Sequence, residues 1–178
     1  MDEQTILAAR RGDRDAVALL LRALQDSWYR MSVSLLQDAD LAHDAVQETA
    51  IRFLRQLPGF RGDSQLRTWS LGICLNVVRE IRRWSRGRQL IGEGAGHEDA
   101  RDDSPLPDMA AERSEDIQVL RSLLVKLPDR QREAVVLRFF EEMSVEQTAA
   151  AMQCAPGTVK ATVHQALKAL KRKMEQLV

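Results

Sequence analysis

Hydrophobic residues recur every three or four positions through most of this chain, which is the spacing of helices that bury one face. Gly12, the pair Pro58-Gly59 and a long stretch after residue 88 interrupt the spacing. A composition with 4% aromatic residues and 5 prolines argues against a β-sandwich, so we predict an all-α fold. In the first part of the chain the pattern predicts helices over approximately residues 3–11, 13–37, 38–57 and 66–86.

The helical spacing returns at Ile117 and leads to a helix–turn–helix pattern. Ser144 is placed to cap the first helix of this pair, and Gln147 completes a capping box three residues later. Pro156 fits the first position of the second helix, where its missing N–H costs no hydrogen bond. The apolar stripe predicted for the second helix consists of Val159, Val163, Ala166, Leu167, Leu170 and Met174.

The opposite face of that second helix is small and polar at its start and basic further along. At about 100° per residue, this face carries Thr158, Ala161, Gln165, Lys168 and Arg172, with Lys160, His164 and Thr162 on its flanks. Such a face suits the major groove of DNA, where the first residues reach base edges and the basic ones hold phosphates. The alternative is an ordinary C-terminal helix with a solvated basic face.

A second basic stripe is predicted on the helix over residues 66–86. Its apolar stripe consists of Trp69, Ile73, Val77, Ile81 and Trp84. A polar stripe about 120° away consists of Asn76, Arg79, Arg83 and Arg86. Glu80 is the only acid in this helix, so a face that contacts phosphates is favoured over a simply solvated one.

The zero net charge of the chain is a balance between segments of opposite sign. Residues 1–88 carry +3, residues 89–116 carry −7 and residues 117–178 carry +4. The middle segment is also rich in glycine and proline and poor in apolar residues, so we predict a flexible linker. We therefore expect two small helical domains, residues 1–88 and 117–178, joined by an acidic linker over 89–116.

Several classes of function find no support in the sequence. It contains no paired nucleophile and base, no metal-ligand spacing and no glycine-rich phosphate loop, so we expect no enzyme, cofactor, metal site or small-molecule substrate. Cys74 and Cys154 lie far apart and outside any C-x-x-C pattern, which fits a reducing compartment. With neither a leader nor roughly 18 uninterrupted apolar residues, we expect a cytoplasmic protein.

Three motifs in order resemble the RNA polymerase sigma factors of the extracytoplasmic-function (ECF) group. DAVQETAIRFLRQL (44–57) resembles the helix with which that family binds core polymerase. FRGDSQLRTWSLGICLN (60–76) resembles its minus-ten promoter region. The stretch from LPDRQREAVVLRFF to HQALKAL (127–170) resembles its minus-thirty-five domain. The resemblance spans nearly the whole chain, and the order of three motifs is more specific than any one of them.

The resemblance implies partners and residue roles. The polar face of the third helix would bind the coiled-coil clamp of the largest polymerase subunit through Asp40, Asp44, Gln47 and Glu48. Because acids in a first helical turn are also favoured by the helix dipole, capping alone could explain Asp40 and Asp44. The linker would lie in a basic polymerase channel, and an anti-sigma factor would cover both domains until a stimulus arrives.

The resemblance also implies how promoter DNA is bound. The loop from Arg61 to Gln65, with Gly62, Asp63 and Ser64, would form a pocket for a flipped base of the melted minus-ten strand. Asn76, Arg79, Arg83 and Arg86 would hold that strand and its phosphates. The helix after Pro156 would read the minus-thirty-five element.

The recognition helix departs from the pattern common in this family. Where such factors commonly read S-R-L-H-R-A, this chain reads Ala161-Thr162-Val163-His164-Gln165-Ala166, so Thr162 and Gln165 replace two arginines. This changes the expected promoter contacts and leaves the fold intact. A stand-alone helix–turn–helix regulator is the alternative function, and dependence on core polymerase distinguishes the two.

Overall fold

The computed structural model describes residues 2–91 and 122–175. The described chain is helical and contains no strand. The predicted linker over 89–116 falls outside the described residues, except for its first three positions. Those three positions belong to α4.

Four helices and one short turn form the N-terminal half. They are α1 (Glu3–Arg10), α2 (Arg14–Leu36), α3 (Ala39–Gln56), a 3-10 turn (Leu57–Gly59) and α4 (Leu66–Ile91). Aspartates cap the first three helices, because the side chains of Asp2, Asp13 and Asp38 accept hydrogen bonds from backbone N–H groups three residues later. Asp40, by contrast, lies in the first turn of α3, where the helix dipole favours an acid.

The C-terminal half contains the predicted helix–turn–helix. Its elements are α5 (residues 122–125), α6 (Asp129–Val135), a π-helical turn (Val136–Phe140), α7 (Val145–Met152) and α8 (Pro156–Glu175). Both hydrogen bonds of the predicted capping box are present between Ser144 and Gln147. Gln153 ends α7 in the left-handed region, with φ of 55°, and so makes the turn into α8.

Aromatic rings fill the centre of the N-terminal half. Trp28 and Phe53 are fully buried, with ring centroids 5.5 Å apart, and Trp69 lies 5.6 Å from Phe53 on its other side. The indole N–H of Trp28 donates to Ser70 Oγ at 3.1 Å, so this buried polar group is satisfied. Trp28 therefore belongs to the core.

The two halves share one hydrophobic core. Its buried residues come from α1–α4 and also from the C-terminal half, which contributes Ala134, Val136, Leu137, Met143, Ala151 and Met152. At Gly72, α4 and α7 pack closely, because a Cβ at this position would lie 3.5 Å from Ala151 Cα. A smaller second cluster, which includes Leu124, Leu127 and Leu170, holds α5 and α8 together within the C-terminal half.

A buried arginine also joins the halves. Arg132 on α6 donates to the carbonyl of Leu35 at the end of α2, to that of Val125 at the end of α5 and to that of Leu127 just after α5. The last carbonyls of a helix have no partner within it, so this guanidinium satisfies groups at two helix ends. Burial lowers the pKa of Arg132 from its ordinary value.

Some predicted apolar positions lie at the surface. On α4, which is roughly 39 Å long at 1.5 Å per residue, Trp84 is 59% exposed. The helix also continues to Ile91, past its predicted limit near Arg86, and Gly87 lies within it. On α8, Leu167 and Met174 are exposed because the buried arc is narrower than predicted.

Candidate nucleic-acid interface

The loop before α4 is open to solvent. Arg61, Gly62 and Asp63 are exposed and Ser64 is half-buried. Gly62 has φ of +81°, a conformation that residues with a side chain rarely adopt, so glycine permits the turn here. The side chain of Gln65, at the end of the loop, accepts a hydrogen bond of 3.0 Å from Gln147 on α7.

The arginines of α4 lie along a groove between the two halves. The groove is about 530 Å³ in volume and is lined by side chains of α3, α4 and α6. The sequence predicted a stripe of Asn76, Arg79, Arg83 and Arg86, and the structure brings all four to this groove. Arg83 is exposed, whereas Arg79 and Arg86 are ion-paired.

Carboxylates of α6 are the partners of these arginines. Glu133, which is buried, lies 2.7 Å from Arg79, and Asp129 lies 3.0 Å from Arg86. The sequence analysis missed Arg82, which lies 3.0 Å from Asp129 and 3.7 Å from Glu133. Its position, about 40° around the helix from Arg86, was the available signal.

The titration of Asp129 reflects these neighbours. Burial raises the pKa of Asp129, but the positive charges of Arg82 and Arg86 outweigh burial, so the pKa lies below its ordinary value. Asp129 is therefore charged throughout the neutral range. It neutralises part of the basic surface of α4 in this arrangement.

The predicted acidic face of α3 is exposed and includes apolar side chains. Asp40, Asp44 and Gln47 are exposed. Glu48 is half-buried and bonds Arg52 at 2.6 Å, while Arg52 also forms two bonds with Glu80 of α4. The sequence analysis missed Ile51 and Leu54, whose side chains are 45% and 39% exposed beside this face.

The predicted reading face of α8 is accessible. Thr158, Lys160, Ala161, His164, Gln165, Lys168 and Arg172 are exposed, and Thr162 is half-buried. Val159, Ala166 and Leu170 are buried on the opposite side of the helix. The C-terminal half thus exposes a basic helix face, and the N-terminal half exposes a loop that leads into α4, whose arginines line the groove.

Comparison with known proteins matches each half separately. Residues 20–89 match the family described as Sigma-70 region 2, and residues 117–170 match Sigma-70, region 4. The RNA polymerase sigma-H factor of Pseudomonas aeruginosa is 32% identical, over 99% of this chain and 95% of that protein. The chain belongs to the RNA polymerase sigma factors. The ECF sigma factor SigX of Bacillus subtilis, 30% identical over 89% of this chain and 84% of that protein, supports the ECF group.

Solved structures have the same fold as this sigma factor. CnrH, in complex with the cytosolic domain of CnrY, gives a TM-score of 0.74 over 98% of this chain and 97% of that chain, at 21% identity. The sigma factor RpoE of Bartonella quintana, in complex with the anti-sigma factor NepR, gives 0.71 over 89% and 96%, at 25% identity. The predicted all-α fold of two helical domains is confirmed.

The family membership confirms the predicted class of function, an alternative sigma factor that directs promoter-specific transcription. In this ECF sigma factor, α2–α4 supply region 2 and the helices after residue 121 supply region 4. Across residues 2–91 and 122–175, no helix is long and apolar enough to span a bilayer. Those residues also contain no group of three or more His, Cys, Asp or Glu side chains that could bind a metal.

Proposed function

We propose that this sigma factor reads two promoter elements with its two halves and opens the duplex at the second. In this proposal α8 reads the minus-thirty-five element, and the loop of residues 60–65 with α4 captures the melted minus-ten strand. The observation that carries the proposal is the exposed loop Arg61–Ser64, which leads directly into the helix that bears the arginines.

The loop suits a base that has left the duplex. Base edges are hidden inside the stack of a duplex, and extruding one costs a few kcal/mol, less when the strand is already open. Gly62 leaves room for a base to approach the backbone, Asp63 can accept and Ser64 can donate hydrogen bonds to its edge, and Arg61 can hold the adjacent phosphate. Asn76, Arg79, Arg83 and Arg86 then hold the strand as it leaves the loop.

Core polymerase docks on α3 in this proposal. The carboxylates of Asp40, Asp44 and Glu48, together with Gln47, complement a basic coiled-coil helix such as the clamp of the largest subunit. The exposed Ile51 and Leu54 add apolar contact area to this face. Electrostatic complementarity then orients the complex, and apolar contact contributes to its affinity.

On α8, base contacts come from the first half of the helix. Thr158, Ala161, Thr162 and Gln165 face the base edges, and glutamine suits adenine through a bidentate pair. Lys160, His164, Lys168 and Arg172 hold the flanking phosphates. These side chains are accessible while the two halves are packed together, so this surface is available to duplex DNA.

The remaining expectations are also proposals. We propose domain limits of 1–88 and 117–178, with the acidic segment 89–116 lying in a basic channel of the polymerase. The protein works in the cytoplasm as a non-catalytic subunit. Because RpoE of Bartonella quintana was solved with an anti-sigma factor, we also propose that an inhibitory protein binds this chain.

Promoter opening tests the minus-ten pocket. A fluorescent base analogue is placed in the minus-ten element of a promoter that the reconstituted holoenzyme transcribes. Asp63→Ala and Ser64→Ala should slow opening and change the preferred base, while closed-complex binding through α8 persists. Normal opening with both substitutions contradicts the pocket.

A further inference from the structure

The arginines of α4 are bound by carboxylates in a place where DNA phosphates are expected. Within the described chain, Asp129 and Glu133 of α6 contact three of these arginines, at 2.7 Å for Arg79, 3.0 Å for Arg82 and 3.0 Å for Arg86. We propose that Arg82 completes a four-arginine phosphate site with Arg79, Arg83 and Arg86. We also propose that Asp129 and Glu133 compete with the DNA strand for this site. The inference rests on the proposed role of α4.

Carboxylates and phosphates are interchangeable ligands for a guanidinium group. Both present oxygen atoms to the planar fork of arginine, and both form charge-assisted hydrogen bonds with it. Arg79 already uses its fork in this way, because its Nε and Nη2 atoms both donate to the carboxylate of Glu133. A phosphate of the open strand would need the same two donors, so the two ligands exclude each other.

Arg82 is held incompletely by the carboxylates. Its Nη1 atom makes the contacts with Asp129 and Glu133, while Nε and Nη2 are buried without a hydrogen-bond partner. These two atoms form the side edge of the guanidinium, which suits bidentate binding of an oxyanion. Leaving buried donors unpaired costs free energy, so Arg82 gains hydrogen bonds when the halves separate and a phosphate arrives.

The charges also favour exchange of one ligand for the other. Four arginines lie between residues 79 and 86, whereas α6 offers two carboxylates. Glu80, the only acid in that part of α4, is bonded to Arg52 on the other side of the groove. A single strand brings several phosphates and can neutralise more of the site than α6 does. The free sigma factor should therefore bind the minus-ten strand weakly until the halves separate.

The test uses the free full-length protein and a labelled single-stranded oligonucleotide that carries the minus-ten sequence. Asp129→Asn/Glu133→Gln should raise its affinity for the oligonucleotide at least tenfold, measured by fluorescence anisotropy. The matched control, Glu142→Gln/Glu146→Gln, removes two exposed charges that form none of these ion pairs, and it should match wild type. Equal affinity in the Asp129/Glu133 variant and wild type would overturn the competition.

Gly72→Leu opens the interface without changing any charge. A leucine side chain would overlap the backbone of α7 near Ala151, whereas the control Gly72→Ala adds a Cβ at an ordinary contact distance. The leucine variant should also gain affinity for the strand, and the alanine variant should not. If Gly72→Leu raises the affinity for the strand and Asp129→Asn/Glu133→Gln does not, the packed halves block the strand only sterically. That result would contradict the proposal.

The salt dependence of oligonucleotide binding tests whether Arg82 contacts a phosphate of the strand. In the Asp129→Asn/Glu133→Gln background, Arg82→Gln should reduce the slope of log affinity against log salt by about 0.7, the value for one phosphate of a single strand. An unchanged slope would remove Arg82 from the site. Promoter opening by holoenzyme with Asp63→Ala and Ser64→Ala tests the proposed function separately, so the two ideas can fail independently.

Discussion

The carboxyl group of Glu141 is buried between two arginines of the N-terminal half. Arg67 bonds both its side chain and its backbone carbonyl, the latter at 2.9 Å, and Arg30 lies 3.6 Å away. Burial raises the pKa of Glu141 above its ordinary value, although both arginines act in the opposite direction. Glu141 therefore makes folding dependent on pH at the point where the halves meet.

Glu141→Gln should remove this pH dependence. A carboxyl with a raised pKa in the folded protein binds its proton more tightly there than in the unfolded chain. Its contribution to stability is therefore complete below the ordinary pKa and is lost as pH rises through the raised one. The free energy of unfolding of wild type, relative to Glu141→Gln, should increase as pH falls from 7 toward 5 in urea titrations. A difference that does not vary with pH would contradict the raised pKa, and Glu142→Gln is the exposed control.

On α8, Gln165 and Lys168 should act differently on promoter DNA. Gln165→Ala should alter the preference at one or two base pairs of the minus-thirty-five element, since it removes a contact with base edges. Lys168→Ala should weaken all sequences about equally and lower the salt slope by about one. Holoenzyme binding to a panel of promoter variants measures both, and identical behaviour of the two variants would exclude base reading by Gln165.

The role of a residue could be predicted from the sequence where that role depends on neighbouring positions in the chain. Caps, the turn before Pro156 and the exposed face of α8 follow from neighbours within one or two turns. The ion pairs of Arg79 and Arg86 join residues 54 and 43 positions apart, and helical periodicity contains no information about such pairs. For the same reason Arg82 was missed, although its position beside the stripe could have included it.

Among the helices, α3 combines an exposed acidic face with a partly exposed ion-pair network that joins it to α4. Asp44 is exposed, whereas Glu48 is bonded to Arg52, which is in turn bonded to Glu80 on α4. Hydrogen bonds from Arg52 lower the pKa of Glu80. A substitution at Glu48 therefore disturbs the packing of α3 on α4 as well as any partner surface.

Asp44→Arg tests whether the exposed acidic face of α3 binds core polymerase. It should weaken assembly with core polymerase by reversing one charge, while the stability of the free protein changes by no more than about 0.5 kcal/mol. Glu48→Arg should also weaken assembly, but with a larger loss of stability because it breaks the bond to Arg52. Titration of labelled protein with core polymerase gives the affinity. Wild-type affinity for both variants would remove this face from the interface.

The extent of α4 shows which features of an element a sequence predicts well. The helix, its position after the loop and its basic side followed from periodicity. Its continuation past Arg86 and the exposure of Trp84 did not follow from periodicity, because periodicity says nothing about which other helices pack on α4.

At the scale of the whole molecule, the two sequence-matched regions form one packed structure. The shared core and the ion pairs of α4 with α6 hold the halves together. The sequence predicted two domains from composition and charge. It could not show their packing, which depends on surfaces such as Gly72 against Ala151 that only the folded chain brings together.

Limited proteolysis should cleave the chain within the predicted linker, but the two resulting fragments should stay associated. We expect the first cuts within residues 89–116, at Arg101 or Arg113 with trypsin, because the composition there favours an accessible chain. The two fragments should elute together from a sizing column, since the shared core remains. Gly72→Leu should release them. Resistance of this segment, or immediate separation of the wild-type fragments, would contradict this arrangement.

As a sigma factor, this protein should recognise promoters only as a subunit of RNA polymerase. DNase protection of a promoter that the holoenzyme transcribes tests it most directly, with the free protein, core polymerase and their mixture compared at one salt concentration. We predict that only the mixture protects the minus-thirty-five and minus-ten elements and opens the latter. Tight protection of duplex DNA by the free protein, unchanged by core polymerase, would contradict the claim and indicate a stand-alone regulator.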